Sequence, residues 1–439
     1  MKRISILACI LGMCFVSMAW AQQPATKLPI GRHLQHRRAD QTSMTPGLTI
    51  NRSFRAQINP NDATKGWELG TYPGGTWFAT WHINDLGMIV GLGDVPPIGR
   101  DGTGHTHTLA VPVFGPNAGK WIDLGALSKK QPNGWEEPFN DISNTGLVVS
   151  HSTAKDGHMH AVSWTNKTGM VDLGTLGDTG NPEYNSFNLS AARVTNKLGT
   201  LIAGVSGVDG NPLSILAPVV WTPSNAWVNG KFVTKWRIHK LDTAAFPNLP
   251  MWDIFGMNDS GQIIGFGFDS VDTTIGIAAL WNPRPDGKGW ELTVLPPSSV
   301  CPLNIAYGIN EKGEIVGNVF SSDYSCAVSL LWEPLDWTRR TYSQPIELAM
   351  PKGGFISCEG VGINDLGDMV GDCLNEDFSL DLPTRWSTND LTFSEIINFP
   401  ADWGFAWGVN NNRIASITYN GENCPGDTYG SCAGAVKLH

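Results

Sequence analysis

Tryptophan, tyrosine and acidic residues stand side by side at several points of this 439-residue sequence. The residues concerned are Trp77, Trp135, Glu136, Glu137, Glu183, Tyr184, Trp252, Asp253, Asp402 and Trp403. An aromatic face can stack on the CH groups of a sugar ring while a neighbouring carboxylate accepts hydrogen bonds from its hydroxyls. Two carboxylates at a suitable separation could also hydrolyse a glycosidic bond. The structural alternative is that these tryptophans wedge between packed elements and that the acids are solvated.

Histidines form two pairs with a spacing of two residues, His105 with His107 and His158 with His160, and His151 lies nearby. Alternate residues of a strand share one side, so each pair has a spacing compatible with a metal ion. A structural role in the strand is the alternative that we favour, and no metal site or cofactor is predicted. Calcium could bind to acidic loop residues, although their spacing matches no EF-hand loop. These residues are Asp269, Asp272, Glu376, Asp377 and Asp381.

Local signatures of several enzyme classes are missing from the sequence. It contains no Gly-x-Ser-x-Gly elbow, no phosphate-binding Gly-Lys-Ser/Thr loop, no dinucleotide fingerprint and no His-Glu-x-x-His. An enzyme is not excluded, because a site assembled from distant repeats leaves no local motif. Catalytic residues therefore remain unknown at this stage.

The N-terminus reads as an export signal. Lys2 and Arg3 precede an apolar run from Ile4 to Ala19, and Ala19-Trp20-Ala21 fits a cleavage site. The sequence thus predicts a signal peptide at residues 1–21, a flexible lead-in at 22–63 and a secreted protein, extracellular or periplasmic. No second long apolar segment follows, so no membrane span is predicted. The net charge of −10 argues against a nucleic-acid partner.

One unit recurs along residues 64–439 with the pattern apolar–Asn–polar–x–Gly, followed by an apolar strand. Asn and Asp hydrogen-bond to their own turn backbone, and Gly supplies the positive φ that closes a short hairpin loop. The copies lie at 83–87, 142–146, 195–199, 257–261, 309–313, 363–367 and 409–413. The turn Gly is replaced by Arg413 in the last copy, and Ser143 replaces the turn Asn in the second. We expect these two hairpins to be irregular.

Each hairpin is followed by a third strand, which in most copies ends in Trp, and by a fourth. Predicted fourth strands include 121–125, 170–174, 236–241, 292–295, 346–348 and 396–399. Four strands in each repeat predict an all-β fold, a seven-bladed β-propeller. The last copy lacks a fourth strand, and residues 66–70 before the first hairpin could supply it. An N-terminal strand would then complete the last blade and close the ring.

The repeat resembles the HAF family of extracellular repeats, in which a His-Ala-Phe stretch precedes a Trp. His160-Ala161-Val162-Ser163-Trp164, followed by 170–177, carries the resemblance, and the repeats as a whole extend it over roughly residues 66–439. The resemblance implies a secreted bacterial repeat protein. It implies no defined reaction, so no catalytic residue is carried over.

Polar residues interrupt a pattern of small residues two positions before the turn Asn. Four copies carry Gly there, at 256, 308, 362 and 408, because inner strands crowd together. The first two copies carry His82 and Asp141, and Arg193 lies beside the equivalent Val194 in the third. We expect His82, Asp141 and Arg193 to form one buried polar cluster, either a hydrogen-bond network between blades or an anion or acid–base site.

Six cysteines remain after the signal peptide, an even number that is typical of disulfides in an exported protein. Each lies either just before an innermost strand or in a loop between second and third strands. In a four-stranded blade, both segments lie on one face of the ring. This topology predicts the pairs Cys301–Cys326, Cys358–Cys373 and Cys424–Cys432.

These observations favour a non-catalytic propeller that binds a ligand or acts as an extracellular scaffold, with a glycan as the preferred ligand. A carbohydrate-active enzyme, a glycoside hydrolase or a lyase, is the first alternative. Its carboxylates would lie at the channel mouth, and the candidates are Glu136, Glu137, Glu183, Asp253 and Asp402. A purely structural cell-surface repeat with protein partners is the second alternative. Fold alone does not choose among them.

Overall fold

The computed structural model describes residues 66–96, 105–128, 140–177, 189–207, 216–228, 231–249, 251–268, 276–321, 326–376, 379–399, 403–420 and 431–439. Within these ranges the chain forms 28 β-strands and no α-helix. No helix of this part of the chain could cross a membrane. The predicted all-β class is confirmed.

The strands pair in sequence order as antiparallel groups, which we call units one to seven after their turn motifs. Unit one contains β2 (Phe78–Ile83), β3 (Met88–Val95), β4 (His105–Pro112) and β5 (Ile122–Asp123). Unit two contains β6 (Asp141–Ile142), β7 (Val148–Thr153), β8 (Met159–Thr165) and β9 (Gly169–Asp172). Unit three contains β10 (Ser190–Thr195), β11 (Ile202–Gly207), β12 (Leu216–Val228) and β13 (Lys231–Lys240). Unit four contains β14 (Met251–Met257), β15 (Ile263–Phe268), β16 (Gly276–Pro283) and β17 (Trp290–Val294). Unit five contains β18 (Leu303–Ile309), β19 (Ile315–Phe320), β20 (Ala327–Trp332) and β21 (Ile346–Glu347).

Unit six and the last unit follow the same order. Unit six contains β22 (Phe355–Ile363), β23 (Asp368–Asn375), β24 (Asp381–Ser387) and β25 (Asp390–Ile396). Unit seven contains β26 (Trp403–Val409), β27 (Ile414–Asn420) and β28 (Cys432–Lys437). Strand β1 (Trp67–Gly70) pairs antiparallel with β28, and Trp67 is opposite Ala435. The first strand of each unit contacts the first strands of the units before and after it, and β26 contacts β2. Successive four-stranded antiparallel groups whose first strands adjoin one another form a β-propeller.

The Asn of the turn motif links the hairpin to the next one in five of the seven units. In unit five, Asn310 Oδ1 accepts the backbone N–H of Glu314 at 3.0 Å, which fixes the turn. Its Nδ2 donates to the carbonyl oxygen of Asn364 in unit six, also at 3.0 Å. Equivalent bonds join Asn84 to Ser143, Asn258 to Asn310, Asn364 to Asn410, and Asn410 to Asn84. One residue type thus closes its own hairpin and ties two units together.

Replacing Asn310 with alanine is expected to lower the free energy of unfolding by about 1–2 kcal/mol, because two buried backbone groups lose their partner. Urea denaturation followed by circular dichroism measures the change. Asn389→Ala is a control, because this exposed Asn donates to the Leu366 carbonyl oxygen within its own unit and, in the described part of the chain, links no two units. Equal effects of the two substitutions would contradict the proposed role of the motif.

The second and seventh hairpins keep the regular turn despite their unusual residues, contrary to the expectation from sequence. Ser143 Oγ accepts the N–H of Leu147 at 3.0 Å, as the Asn amide does in other units. Arg413 adopts a left-handed φ of 59° at the position of the turn Gly. Its guanidinium forms a bidentate pair with Asp368 of unit six, with both distances 2.9 Å, which offsets the cost of that backbone conformation.

A tryptophan in the third strand connects each of four units to the preceding one. Trp221, Trp281, Trp332 and Trp386 are almost completely buried. Each indole N–H donates to a carbonyl oxygen just after the fourth strand of the preceding unit. The acceptors are Leu173, Asp242, Pro296 and Ala349, respectively, at 2.7–3.0 Å. These side chains therefore fill the space between units and satisfy a backbone acceptor there.

The fourth strand of unit six lies earlier in the chain than predicted. It covers 390–396, whereas the apolar segment 396–399 suggested the strand. Ile397 and Phe399 are buried beyond the strand end, and the N–H of Ile397 donates to the Pro383 carbonyl oxygen at 2.7 Å. Their apolar character reflects interior packing after the strand rather than strand pairing.

Two predicted disulfides are confirmed, Cys301–Cys326 and Cys358–Cys373. Cys301–Cys326 joins the segment before β18 to the loop before β20. Cys358 and Cys373 instead lie opposite each other within the paired strands β22 and β23, rather than before a strand and in a loop as predicted. Cys432 is also disulfide-bonded, but its predicted partner Cys424 lies outside the described residues. The topological argument from sequence therefore holds for the two pairs that can be compared.

Candidate functional site

A β-bulge recurs at one position of the innermost strands. In these strands one residue has no partner in the register with the second strand, three positions before the turn Asn. The bulge residues are Trp81, Arg193, Phe255, Tyr307, Val361 and Trp407. A bulge bends the strand and re-aims the extra side chain. Trp81 stacks on Trp407, and Phe255 contacts Tyr307, so bulge residues of adjoining units meet. We call the surface that they form, where the first strands of the units adjoin one another, the lining.

Four aromatic side chains form a continuous series on this lining, which we call the aromatic ladder. Trp403 and Phe405 meet edge to face with ring centroids 4.8 Å apart. Phe405 and Trp407 stack at 5.4 Å, and Trp407 stacks on Trp81 of unit one at 4.3 Å with an interplanar angle of 28°. The three tryptophans are half-buried, whereas Phe405 is buried. The ladder thus presents partly accessible indole faces.

A buried ion pair lies on the lining between units three and four. Arg193 Nε and Nη2 donate to the two carboxylate oxygens of Asp253, each at 3.1 Å. Burial raises the pKa of Asp253, and the guanidinium opposes that rise. His151 is buried near Arg193, and burial together with this positive charge lowers its pKa to about 3. His151 is therefore neutral at physiological pH, and Arg193 with Asp253 supplies a fixed dipole rather than a free charge.

His82 and Asp141 adjoin each other, with Nδ1 and Oδ1 3.5 Å apart. The Asp141 carboxylate also accepts the N–H groups of Ile142 and Thr195 at 2.6 and 2.9 Å. The His82 side chain is 47% exposed. The structure places His82 beside Asp141, but the expectation of one buried cluster is wrong, because the His82 side chain is half exposed and Arg193 pairs with Asp253 instead.

Three buried carboxyl groups lie together in unit six. Glu359 is opposite Asp372 in the strand register, and the carboxyl of Asp372 hydrogen-bonds to that of Asp381. All three are 6% exposed or less. None of the ion pairs among the described residues involves them, and Asp381 Oδ1 has no partner within the same part of the chain. Burial and the neighbouring Asp381 carboxylate raise the pKa of Glu359 to about 8, and burial raises that of Asp381 to about 7.

The stability of the folded protein is expected to fall as pH rises from about 5 to 8. Carboxyl groups with a raised folded pKa hold protons that the unfolded chain has already released. The free energy of unfolding then decreases by up to about 1.4 kcal/mol per pH unit for each such group. Thermal unfolding at pH 5, 6, 7 and 8 measures the trend, and Glu359→Gln should flatten it. A stability that increases over this range in the unaltered protein would contradict the assignment.

The predicted ligand-binding residues have different positions. Trp403 belongs to the ladder. Trp77 is half-buried, and its backbone N–H donates to the Asp94 carboxylate. Trp252 is 2% exposed and packs edge to face on Trp281 at 5.5 Å, in the core between units. Asp253 is committed to Arg193. The others, Trp135, Glu136, Glu137, Glu183, Tyr184 and Asp402, lie outside the described residues.

The histidine pairs contact carboxylates of the fourth strands. His107 Nδ1 lies 2.7 Å from an oxygen of Asp123, and His160 Nδ1 lies 2.9 Å from one of Asp172. These contacts place the histidines within the sheets of units one and two. Of the calcium candidates, Asp381 lies in the carboxyl cluster, and Asp269, Asp272 and Asp377 lie outside the described residues. Among those described, no group of three His, Cys, Asp or Glu side chains could hold a metal ion.

Sequence reasoning missed Trp81, Phe405 and Trp407. The signal was present, because Trp403-Gly-Phe405-Ala-Trp407 alternates aromatic and small residues with the period of a strand. Alternation alone does not say which side faces the channel, and a bulge changes the side midway through the strand.

Comparison with known proteins gives no family assignment. No family model matches the sequence, and no curated protein matches it. Among solved structures, the chain is similar to a Trypanosoma rangeli sialidase in complex with sialic acid, with a TM-score of 0.36 and 10% identity over 86% of this chain and 57% of that one. It is also similar to puromycin hydrolase, with a TM-score of 0.46 and 12% identity over 78% of this chain and 50% of that one. The similarity to the Dos1 propeller has a TM-score of 0.39 and 8% identity over 81% of this chain and 84% of that one. The chain spans little more than half the length of that sialidase. None of these similarities assigns a function.

Proposed function

We propose that this protein is an exported seven-bladed propeller that binds a glycan on the aromatic wall of its channel and catalyses no reaction. The aromatic ladder carries the proposal. Trp403, Trp407 and Trp81 are half-buried indoles; Trp407 stacks on Trp81, and Phe405 connects Trp403 to Trp407, a surface on which successive sugar rings could stack. Polar groups nearby, His82 with Asp141, would supply hydrogen bonds to hydroxyl groups.

The proposed architecture has seven four-stranded blades closed by the N-terminal strand. Its support is the pairing of β1 with β28, the bond from Asn410 Nδ2 to the Asn84 carbonyl oxygen at 2.9 Å, and the contact of β26 with β2. Export is supported by the signal-like segment 1–21 and by the disulfides, which persist in oxidising compartments. Membership of the HAF-type repeats is part of the same proposal and rests on the seven turn motifs and the segment 160–164.

The first test is binding of the protein without residues 1–21 to a polysaccharide array, with reducing-end release assayed in the same wells. Trp407→Ala should weaken binding by roughly tenfold or more, because a central aromatic contact is lost. Trp403→Ala provides a second variant at the ladder end. Trp337→Ala is the matched control, since this indole is 92% exposed and lies outside the ladder. Circular dichroism verifies that each variant is folded.

The outcomes separate the candidate functions. Binding without release, weakened by the ladder variants and unchanged in Trp337→Ala, supports a glycan-binding propeller. Release of reducing ends that is abolished by Glu359→Gln or Asp381→Asn would instead indicate an enzyme that uses the buried carboxyl cluster. Absence of binding across a broad array would refute the proposal and favour the scaffold.

A further inference from the structure

Side chains from all seven hairpin turns meet on one face of the propeller, which we call the turn face. The residue after each turn Asn contributes to this set, as does Asn144 in unit two. The members are Asp85, Asn144, Lys197, Asp259, Glu311, Asp365 and Asn411. Side chains accept backbone N–H groups of the preceding turn: Glu311 that of Asp259, Asp365 that of Glu311, Asn411 that of Asp365, and Asp85 that of Asn411. These side chains therefore form a hydrogen-bonded girdle around the end of the channel.

Two side chains reach across this girdle. Lys197 of unit three and Asp365 of unit six form an ion pair with Nζ and Oδ2 2.5 Å apart, and both are half-buried. Units three and six lie on roughly opposite sides of a seven-unit ring, so their contact must cross its centre. Asn411 Nδ2 adds bonds to Asp365 at 2.6 Å and to Asp85 at 3.2 Å. The centre of the turn face is therefore filled by side chains.

Lys197 compensates one of the four carboxylates in this set of seven side chains, that of Asp365. Partial burial acts to raise the pKa of Asp365, but hydrogen bonds from Lys197, the Glu311 N–H and Asn411 outweigh it and the pKa is lowered. Burial and the carboxylates of Asp259 and Asp365 raise the pKa of Glu311. The Asp365 carboxyl thus remains ionised over the physiological pH range.

We infer that the channel is closed at the turn face and that the site recognises the end of a glycan chain rather than an internal segment. This inference rests on the proposed glycan binding at the ladder. A chain that reaches Trp407 and Trp81 must come from the opposite face, and it cannot leave through the centre of the turn face. One terminus must therefore lie inside the channel.

The test compares heptasaccharides derived from cellulose, xylan, laminarin and amylose, each printed through its reducing end. Each is presented with a free non-reducing end and with that end esterified to a bulky adamantyl group. At least a tenfold preference for free ends among the sugars that bind is expected, and Trp407→Ala should remove it. Lys352→Ala, at an exposed lysine, is a control that should retain the preference.

Equal binding of free and capped chains would overturn end recognition while leaving glycan binding intact. Binding of neither printed form, together with no binding of the same heptasaccharides free in solution, would refute the proposed function itself and this inference with it. Binding of the soluble sugars alone would support end recognition, with the reducing end as the terminus that enters. A preference for free ends that persists in Trp407→Ala would locate end recognition outside the channel and overturn the inference. These results therefore distinguish failure of the site from failure of the closed channel.

Discussion

The substitution Trp281→Ala is expected to lower the free energy of unfolding by about 3–5 kcal/mol, because a fully buried aromatic side chain between two units is lost. The indole N–H also donates to the Asp242 carbonyl oxygen at 3.0 Å, and this hydrogen bond would be lost as well. Urea denaturation monitored by far-ultraviolet circular dichroism measures the change without relying on tryptophan fluorescence.

Two further variants identify the origin of the effect. Trp281→Phe keeps much of the apolar volume but removes the donor, so a smaller loss is expected than for alanine. Trp337→Ala removes an indole that is 92% exposed and should change the stability by less than about 0.5 kcal/mol. If Trp281→Ala were no more destabilising than Trp337→Ala, the role of these tryptophans in joining units would be wrong.

The second large effect is expected for the buried pair of Arg193 and Asp253. Arg193→Met leaves an uncompensated buried carboxylate, and a loss of about 3–5 kcal/mol is expected. Asp253→Leu leaves an unpaired guanidinium and should cost a similar amount. The same denaturation experiment measures both variants.

The double variant Arg193→Met/Asp253→Leu provides the decisive comparison. Removing both charges together should restore much of the stability, since a well-packed apolar pair avoids the desolvation cost of the ions. Additive losses in the double variant would show that the two side chains do not act as a pair. At constant temperature, the coupling energy follows directly from the four measurements.

Local chemistry explains why the hairpins could be predicted. The Asn side chain and the turn Gly act within five residues, so the seven copies are visible in the sequence. The disulfides followed from the same regular topology, because each joins two segments of one unit. Ser143 and Arg413 looked like defects only because their compensating contacts, with Leu147 and with Asp368, are not encoded in the motif.

Features that depend on several units could not be read from the chain. Trp252 and Trp403 both precede or begin an innermost strand and look equivalent in sequence. Trp252 is buried in the core between units, whereas Trp403 is part of the ladder. The difference arises because the side chains of neighbouring units decide how much of each indole remains accessible. The bulge depends on register with a second strand. The contact of Lys197 with Asp365 requires residues from distant repeats to converge, which no local pattern records.

The pairing of β1 with β28 has a consequence for how the chain reaches its final fold. Trp67 meets Ala435, so the last sheet must wait until nearly the whole polypeptide has been synthesised and delivered to the same compartment. Closing so long a loop costs roughly 5 kcal/mol of chain entropy, which the earlier units can reduce by folding first and bringing the two segments near each other. Until then β28 has an unpaired edge on which a strand from another molecule could add. The pairing of β1 with β28 thus also protects against intermolecular association, and we expect this pairing to form late in folding.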